Sequence, residues 1–253
     1  MRLPVKIDST SNGEYAPRPI GALLECARRS GVRMICIHKR LPFGGQDPAF
    51  ATCDDVGPAA ALFPDINFVL YHSGYETAVR EQAHNARAGR RGIDTLVRSL
   101  AAAGVPPNAN VYAELGSTWR NLMRDPSGAA HALGKLLLAV GEERVLWGAD
   151  STWYGSPQDQ IQAFRTFEIA PALVDRYRYP ELTPTLKAKV FGLNAAKLWG
   201  IDPEAARRRA ENDAIGVAKL VYTEGPSPTF ETYGPRTVAE FRQLRKLSGP
   251  GPD

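Results

Sequence analysis

The sequence predicts an α/β fold built on a parallel sheet, and two observations carry that prediction. Four short runs rich in β-branched and apolar residues alternate with Ala- and Leu-rich stretches whose apolar residues recur at helical spacing. The runs are almost continuously apolar, which indicates strands covered by helices on both faces. A closed barrel and an open doubly wound sheet both fit this pattern. The predicted strands lie near 33–38, 66–72, 110–115 and 144–149.

The helices follow from apolar spacing and from helix-start signals. Periodic apolar residues predict helices near 92–103 and 127–140, and a weaker signal predicts a strand at 5–7 followed by a helix near 21–29. Ser156-Pro157 is typical of a helix start, with Ser as N-cap and Pro at the first helical position. Thr183-Pro184 repeats that signal and opens a predicted helix over 184–198.

Two regions are expected along the chain. Residues 1–200 form the α/β region, and residues 201–253 form a C-terminal extension packed on it, because the composition changes after Gly200 to eight basic and eight acidic residues with many prolines and glycines. One amphipathic piece lies near 237–247. The extension is not expected to be a second domain.

Composition excludes several classes of function. The 31 basic and 27 acidic residues give a net charge of +4, too small over 253 residues to indicate steering toward nucleic acid or membranes. No stretch has the length of a membrane span and the first residues lack the apolar run of a signal peptide, so a cytoplasmic protein is expected. The odd cysteine count, at Cys26, Cys36 and Cys53, predicts reduced thiols.

Motif absences narrow the function further. The sequence contains no GxGxxG, GxxxxGK[ST], GxSxG, HExxH or HxH. Nucleotide binding and serine hydrolysis therefore lose their main sequence support.

Three residues that could carry chemistry fall at strand ends. His38 and His72 occupy the last positions of two predicted strands, and Asp150 directly follows another. In parallel α/β folds, ligands bind and catalytic residues gather at this carboxyl end. Each of the three also ends a set of alternating positions along its strand, so all three could project into one mouth. Two imidazoles and a carboxylate suit zinc or another divalent metal, with Asp150 able to accept a proton from metal-bound water.

Other polar and aromatic residues near the strand ends have two interpretations, one structural and one functional. A single strand-end histidine is more often a hydrogen-bonded structural residue than a ligand. Glu114 could be a fourth polar group in the mouth, contacting substrate, or could pair with an arginine. Tyr75 and Trp153 could line a substrate pocket or cap the core.

Four segments together resemble the amidohydrolase superfamily, and within it the amidohydrolase-related branch of metal-dependent hydrolases and decarboxylases. They are ICIHK at 35–39, LYHSG at 70–74, VLWGADS at 145–151 and GLNAAKL at 192–198. The resemblance runs from about residue 20 to residue 201. Each segment is modest alone, and their order and spacing make the combination fairly specific.

The resemblance implies a (β/α)₈ barrel of the TIM type that holds one or two divalent metals, usually zinc. It maps His38 to the strand-five histidine, His72 to strand six and Asp150 to strand eight, which makes these three the expected metal ligands and makes Asp150 and His72 the expected catalytic residues. By strand count, the chain would be an N-terminally truncated, partial barrel of about the last four or five βα units.

The family pattern also has an HxH pair on strand one, which this sequence lacks. We therefore expect the three side chains to share one mouth but to bind zinc weakly, with little activity. Two functions remain open: a metal-dependent enzyme that hydrolyses a C–N or C–O bond or decarboxylates a small organic acid, and a non-catalytic remnant or binding module. The expected partner is a small molecule, and the open edges of a partial barrel make a homo-oligomer possible.

Overall fold

The computed structural model describes residues 20–40, 51–85 and 91–225, together with Ala239. Helices and short parallel strands alternate through most of this region. In chain order the elements are α1 (Ile20–Arg29), β1 (Met34–His38), α2 (Val56–Leu62), β2 (Asn67–Tyr71), α3 (Asp94–Ala103), β3 (Val111–Glu114), α4 (Thr118–Leu122), α5 (Pro126–Ala139), β4 (Val145–Leu146), α6 (Ser151–Tyr154), α7 (Gln158–Thr166), α8 (Pro171–Tyr177), α9 (Pro184–Ala188), α10 (Asn194–Trp199), α11 (Pro203–Asn212) and α12 (Ala214–Glu224).

The four strands form one sheet in the order β1-β2-β3-β4, and every neighbouring pair is parallel. The predicted α/β fold with a parallel sheet is therefore confirmed. Helices follow each strand, and the arrangement is compatible with part of a TIM-type barrel.

The two faces of the sheet bury different amounts of apolar surface. Phe68, Leu70 and Ala113 lie on the face toward the helices and belong to the main core, which continues through α3, α5 and α7. On the other face, Val69, Tyr112 and Leu146 form a small second cluster against the residues of α10. Burial of the larger cluster supplies most of the hydrophobic stabilisation, since that term scales with apolar area removed from water.

All four strands are shorter than predicted, and the hydrogen bonds and backbone angles explain where two of them end. β2 ends at Tyr71, because His72 begins a 3₁₀ turn with a positive φ of 66°. β4 comprises only Val145–Leu146. The backbone N–H of Trp147 donates to the carbonyl of Val190, 2.9 Å away, so the chain leaves the ladder at that residue.

The helix predicted over 184–198 is present but interrupted. Thr183 caps its start by accepting a hydrogen bond from the Leu186 N–H at 3.2 Å, as its sequence signal indicated. A π-helical segment at Lys189–Leu193 then separates α9 from α10. At the helix start predicted for Ser156-Pro157, the regular helix begins at Gln158 and Pro157 occupies the cap position. The start is therefore shifted by one residue from the prediction.

Beyond Gly200, the described chain forms the two helices α11 and α12, which are joined at Asp213 and in which no residue is buried. Packing of an extension on the α/β region stays a prediction. The predicted strand at 5–7 lies outside the described residues, as does the amphipathic piece at 237–247 apart from Ala239. Within the described chain, the three cysteines are free, as expected, and none of the helices has the length and apolarity needed to span a membrane.

Candidate functional site

His38 and His72 meet at the carboxyl end of the sheet. His38 is the last residue of β1, as predicted, and His72 directly follows the neighbouring strand β2. Their ring centroids lie 4.5 Å apart, with an angle of 76° between the ring planes. The two imidazoles are thus in edge-to-face contact.

Side-chain alternation alone does not explain this contact. In the register of β1 and β2, His38 pairs with Tyr71, so His38 shares a face with Tyr71 and Val69, whereas Leu70 and a regular residue 72 would point to the helix side. The expectation that alternation brings both histidines into the mouth was therefore wrong in its reasoning. Positive φ angles at His72 and at the next two residues turn the chain, and this turn brings the rings together.

Two hydrogen bonds join His72 to the loop that follows β3. Its Nδ1 lies 2.7 Å from the carbonyl oxygen of Gly116, and its own carbonyl accepts a 2.8 Å hydrogen bond from the Thr118 hydroxyl. A carbonyl can only accept, so Nδ1 carries a proton. In the neutral imidazole, Nε2 is then the nitrogen with the free lone pair.

Glu114, the last residue of β3, is a partly buried carboxylate held by backbone donors. Its Oε1 accepts from the Gly116 N–H at 2.8 Å and its Oε2 from the His72 N–H at 3.3 Å. Burial and, to a smaller extent, the nearby Asp150 carboxylate raise the pKa of Glu114 to about 7, although the two N–H donors oppose the rise. Glu114 therefore lies beside His72 at the carboxyl end of the sheet, and its contact with substrate stays a prediction.

Gly148 makes room for that carboxylate. A Cβ at position 148 would lie 1.4 Å from the Glu114 Oε1, so only glycine allows the two segments to approach this closely. A Cβ at Gly116 would lie 2.6 Å from the same oxygen and 2.8 Å from the Asp150 Oδ1. The two carboxylates therefore flank the loop after β3.

Asp150 lies across the mouth from Glu114, at the start of α6. Its Oδ2 is 3.5 Å from the His72 Nδ1 and accepts a short hydrogen bond from the Ser117 hydroxyl. The Tyr154 hydroxyl is 3.0 Å from the same Ser117 oxygen. Asp150 has a left-handed backbone with a φ of 49°, and its side chain is 25% exposed. The structure thus joins His38, His72, Glu114 and Asp150 in one cluster.

The two aromatic candidates lie in different surroundings. Trp153 on α6 is 72% exposed, next to Tyr154, whose ring packs 4.2 Å from the Arg120 guanidinium. Tyr75 is 6% exposed and belongs to the main core. Substrate binding by either residue stays a prediction.

Sequence reasoning did not single out Ser117 and Thr118. Both belong to the Gly116-Ser117-Thr118 segment that directly follows a strand, and both hydroxyls bond to parts of the site. The available signal was this polar pair behind a strand-end glutamate. Its chemistry depends on the positive φ of 54° at Ser117, which sequence spacing does not reveal.

The next property of the cluster is whether its side chains are placed to bind a divalent metal. Zinc sites need three or four N, O or S donors directed at one point. Asp150 approaches His72 at Nδ1, the nitrogen whose proton is given to Gly116, and not at Nε2. Across the described ranges, no group of three His, Cys, Asp or Glu side chains is placed to hold a metal ion. His38, His72 and Asp150 therefore do not fit a metal in this arrangement, and their role as ligands stays a prediction.

A parallel α/β sheet with histidines and carboxylates at its carboxyl end is typical of a class of α/β proteins that bind ligands at that end. Comparison with protein families identifies the member of that class: the family model described as amidohydrolase matches residues 22–201. The chain belongs to the amidohydrolase family, as the sequence resemblance predicted. Neither the curated proteins nor the solved structures contain a match to this chain.

Proposed function

We propose that this chain forms part of an amidohydrolase-type active site at the carboxyl ends of its strands. This site acts on a small molecule. The reaction is hydrolysis of a C–N or C–O bond or removal of a carboxylate from a small organic acid. One observation carries the proposal: His38, His72, Glu114 and Asp150, from four successive βα units, converge in one mouth. Membership of the amidohydrolase family supports it.

In this proposal His72 and Asp150 handle protons. The Gly116 carbonyl keeps the His72 proton on Nδ1, so Nε2 faces a reacting group as an acceptor. The Asp150 carboxylate accepts a hydrogen bond from the Ser117 hydroxyl, which orients it. Its side chain is also one-quarter exposed, so it can accept a proton from substrate or water. Ser117 is a positioning residue, since it acts through Asp150.

Glu114 and the aromatic residues have proposed roles in substrate binding. With a pKa near 7, Glu114 can donate a hydrogen bond in its neutral form or accept one in its ionised form. Trp153 offers an exposed apolar face on α6 next to the mouth. Tyr75 would reach substrate only after a rearrangement of the core in which it is buried.

Metal dependence is the part of the proposal that the cluster supports least. Members of this family generally use divalent metals, and zinc suits imidazole and carboxylate donors. Because the described side chains do not form a three-ligand group, we expect this chain alone to bind zinc weakly and to turn over slowly. The same observation favours the second candidate, a binding module that keeps the fold without metal chemistry.

The two candidates are separated by titrating zinc into purified protein and assaying a panel of small esters, amides and carboxylic acids. We expect slow turnover that requires added zinc, zinc binding weaker than about 10 μM, and loss of turnover in Asp150→Asn. Asp213→Asn is the matched control, since Asp213 caps the exposed helix α12 and asparagine caps equally well.

Two outcomes would contradict the proposal. If no substrate turns over at any zinc concentration and His38→Ala binds zinc as the wild type does, the binding module is correct. If the protein carries one tightly bound zinc per chain that His38→Ala removes, the enzyme is correct but the expectation of weak binding is wrong.

A further inference from the structure

A cavity of about 610 Å³ lies in the outer helical layer, away from the strand-end site. It is bounded by α3, α5 and the residues at the end of α8. Its apolar lining includes Val97, Leu100, Val105 and Leu138. Cavities of this size and character are typical of small-molecule sites, which combine an apolar wall with a few placed polar groups.

Two arginines line the same cavity without an ion-pair partner among the described residues. Arg176 ends α8, and Arg178 follows it with a left-handed φ of 57°. Both are exposed, and no described carboxylate lies within salt-bridge distance of either guanidinium. Arg176 packs 5.2 Å from the ring of Tyr177. Two guanidiniums beside an apolar wall are suited to an anionic group attached to an apolar body.

Lys135 is a third cation at this cavity, and it is nearly fully buried. Its side chain is 2% exposed, and its Nζ donates to Glu81 Oε2 at 2.5 Å and to Asp94 Oδ1 at 2.8 Å. An ammonium has three N–H donors, so one remains for an acceptor in the cavity. Three cations against these two carboxylates leave the wall with a net positive charge.

A pair of tyrosine rings forms a flat part of the wall. Tyr177 and Tyr179 are stacked, with centroids 5.4 Å apart and an angle of 27° between the planes. The Tyr179 hydroxyl lies 3.1 Å from the His131 Nδ1, which fixes that ring in position. Tyr179 is 4% exposed and its ring packs on Gly134, so Tyr177 is the ring of the pair that meets the cavity. A planar aromatic body in edge-to-face contact with that ring gains more than its buried area alone.

We propose that this cavity is a second ligand site, separate from the strand-end mouth, for a small aromatic carboxylate. The apolar lining and Tyr177 hold the ring system. Arg176 and Arg178 receive the carboxylate, and the remaining Lys135 donor orients it. The site differs from the mouth in its chemistry, since it offers cations and apolar surface, and no group in it acts on a bond.

The probe pair is 1-naphthaleneacetate and its neutral amide, titrated calorimetrically into the full chain at low ionic strength. We expect one acid bound per chain, at least fivefold more tightly than the amide. In Arg176→Gln/Arg178→Gln this preference falls below twofold, and in Leu138→Glu the acid binds at least fivefold more weakly. The matched control is Arg208→Gln/Arg209→Gln, which removes two exposed arginines from α11 and keeps the wild-type preference.

The arginine and leucine variants change exposed side chains, whereas His72→Asn changes a buried one, and circular dichroism confirms that each variant is folded. Equal affinity for acid and amide in the wild type would overturn the proposal, as would an equal loss in the control variant. Loss of binding in His72→Asn with no change in Arg176→Gln/Arg178→Gln would place the probe in the strand-end mouth and would also overturn it.

Discussion

The two ends of the parallel sheet use polar residues in different ways. At the amino end, amide and guanidinium groups donate to backbone carbonyls. The two amide N–H groups of Asn110 are shared among three carbonyls, and Arg144 binds the carbonyls of Asn108 and Ala109. At the carboxyl end, the polar residues are imidazoles and carboxylates in mutual contact. Both ends satisfy backbone groups, and the carboxyl end also brings imidazoles and carboxylates together.

The two ends of the sheet also differ in backbone conformation. His72, Ser73, Ser117 and Asp150 all have positive φ angles at the carboxyl end, whereas Asn108 has the positive φ near the amino end of β3. Asparagine tolerates this conformation well, and serine does so poorly. Strained backbone tends to cluster at functional sites, where it positions side chains that regular structure would direct elsewhere. The comparison indicates that the amino end stabilises the fold, while the carboxyl end holds its polar side chains in place at some cost in stability.

The largest expected effect is at the amino end. Asn110 is buried and its amide nitrogen lies 3.2, 3.0 and 2.8 Å from the carbonyl oxygens of Ala60, Phe63 and Ile66. Asn110→Ala leaves these acceptors without their donor, so the free energy of unfolding should fall by about 3 kcal/mol. Urea denaturation measures it. The control Asn212→Ala, which removes one exposed bond on α11, should change stability by less than about 0.5 kcal/mol. A loss below 1 kcal/mol in Asn110→Ala would contradict the stabilising role of this end.

At the carboxyl end, Ser117 allows strain and hydrogen bonding to be measured separately. Ser117→Ala removes the hydroxyl bonds to Asp150 and Tyr154 and keeps the Cβ at a φ of 54°. Ser117→Gly removes the same bonds and also the strain. We expect the glycine variant to be about 2 kcal/mol more stable than the alanine variant in urea denaturation. If the two are equally stable, the carboxyl end stores no strain at this residue and the comparison fails there.

The sequence was sufficient for the four strands and for their parallel pairing, because apolar runs depend on local composition. It was insufficient for the geometry around His72. Alternation assigns a face only while a strand continues, and β2 ends one residue before the histidine. Similarly, β4 ends at Leu146 because the Trp147 N–H binds the carbonyl of Val190, 43 positions later in the chain. Ser117 was missed because its contact with Asp150 depends on a loop conformation and on two separate strands meeting.

The smallest expected effect returns to the amino end and tests whether positive φ has the same meaning there. Asn108 has a φ of 60°, and its Oδ1 accepts a 3.1 Å hydrogen bond from the Glu143 N–H. Its side chain also packs against Gly141, where a Cβ would lie 2.2 Å from that oxygen. Asparagine adopts a positive φ with little strain, so Asn108→Gly removes little backbone strain. The substitution also loses the hydrogen bond and makes the unfolded chain more flexible. Its free energy of unfolding should fall by about 0.5 to 1 kcal/mol in the same urea assay. A stabilised Asn108→Gly variant would mean that strain is spread over both ends of the sheet, and positive φ would then no longer distinguish the candidate site from the structural end.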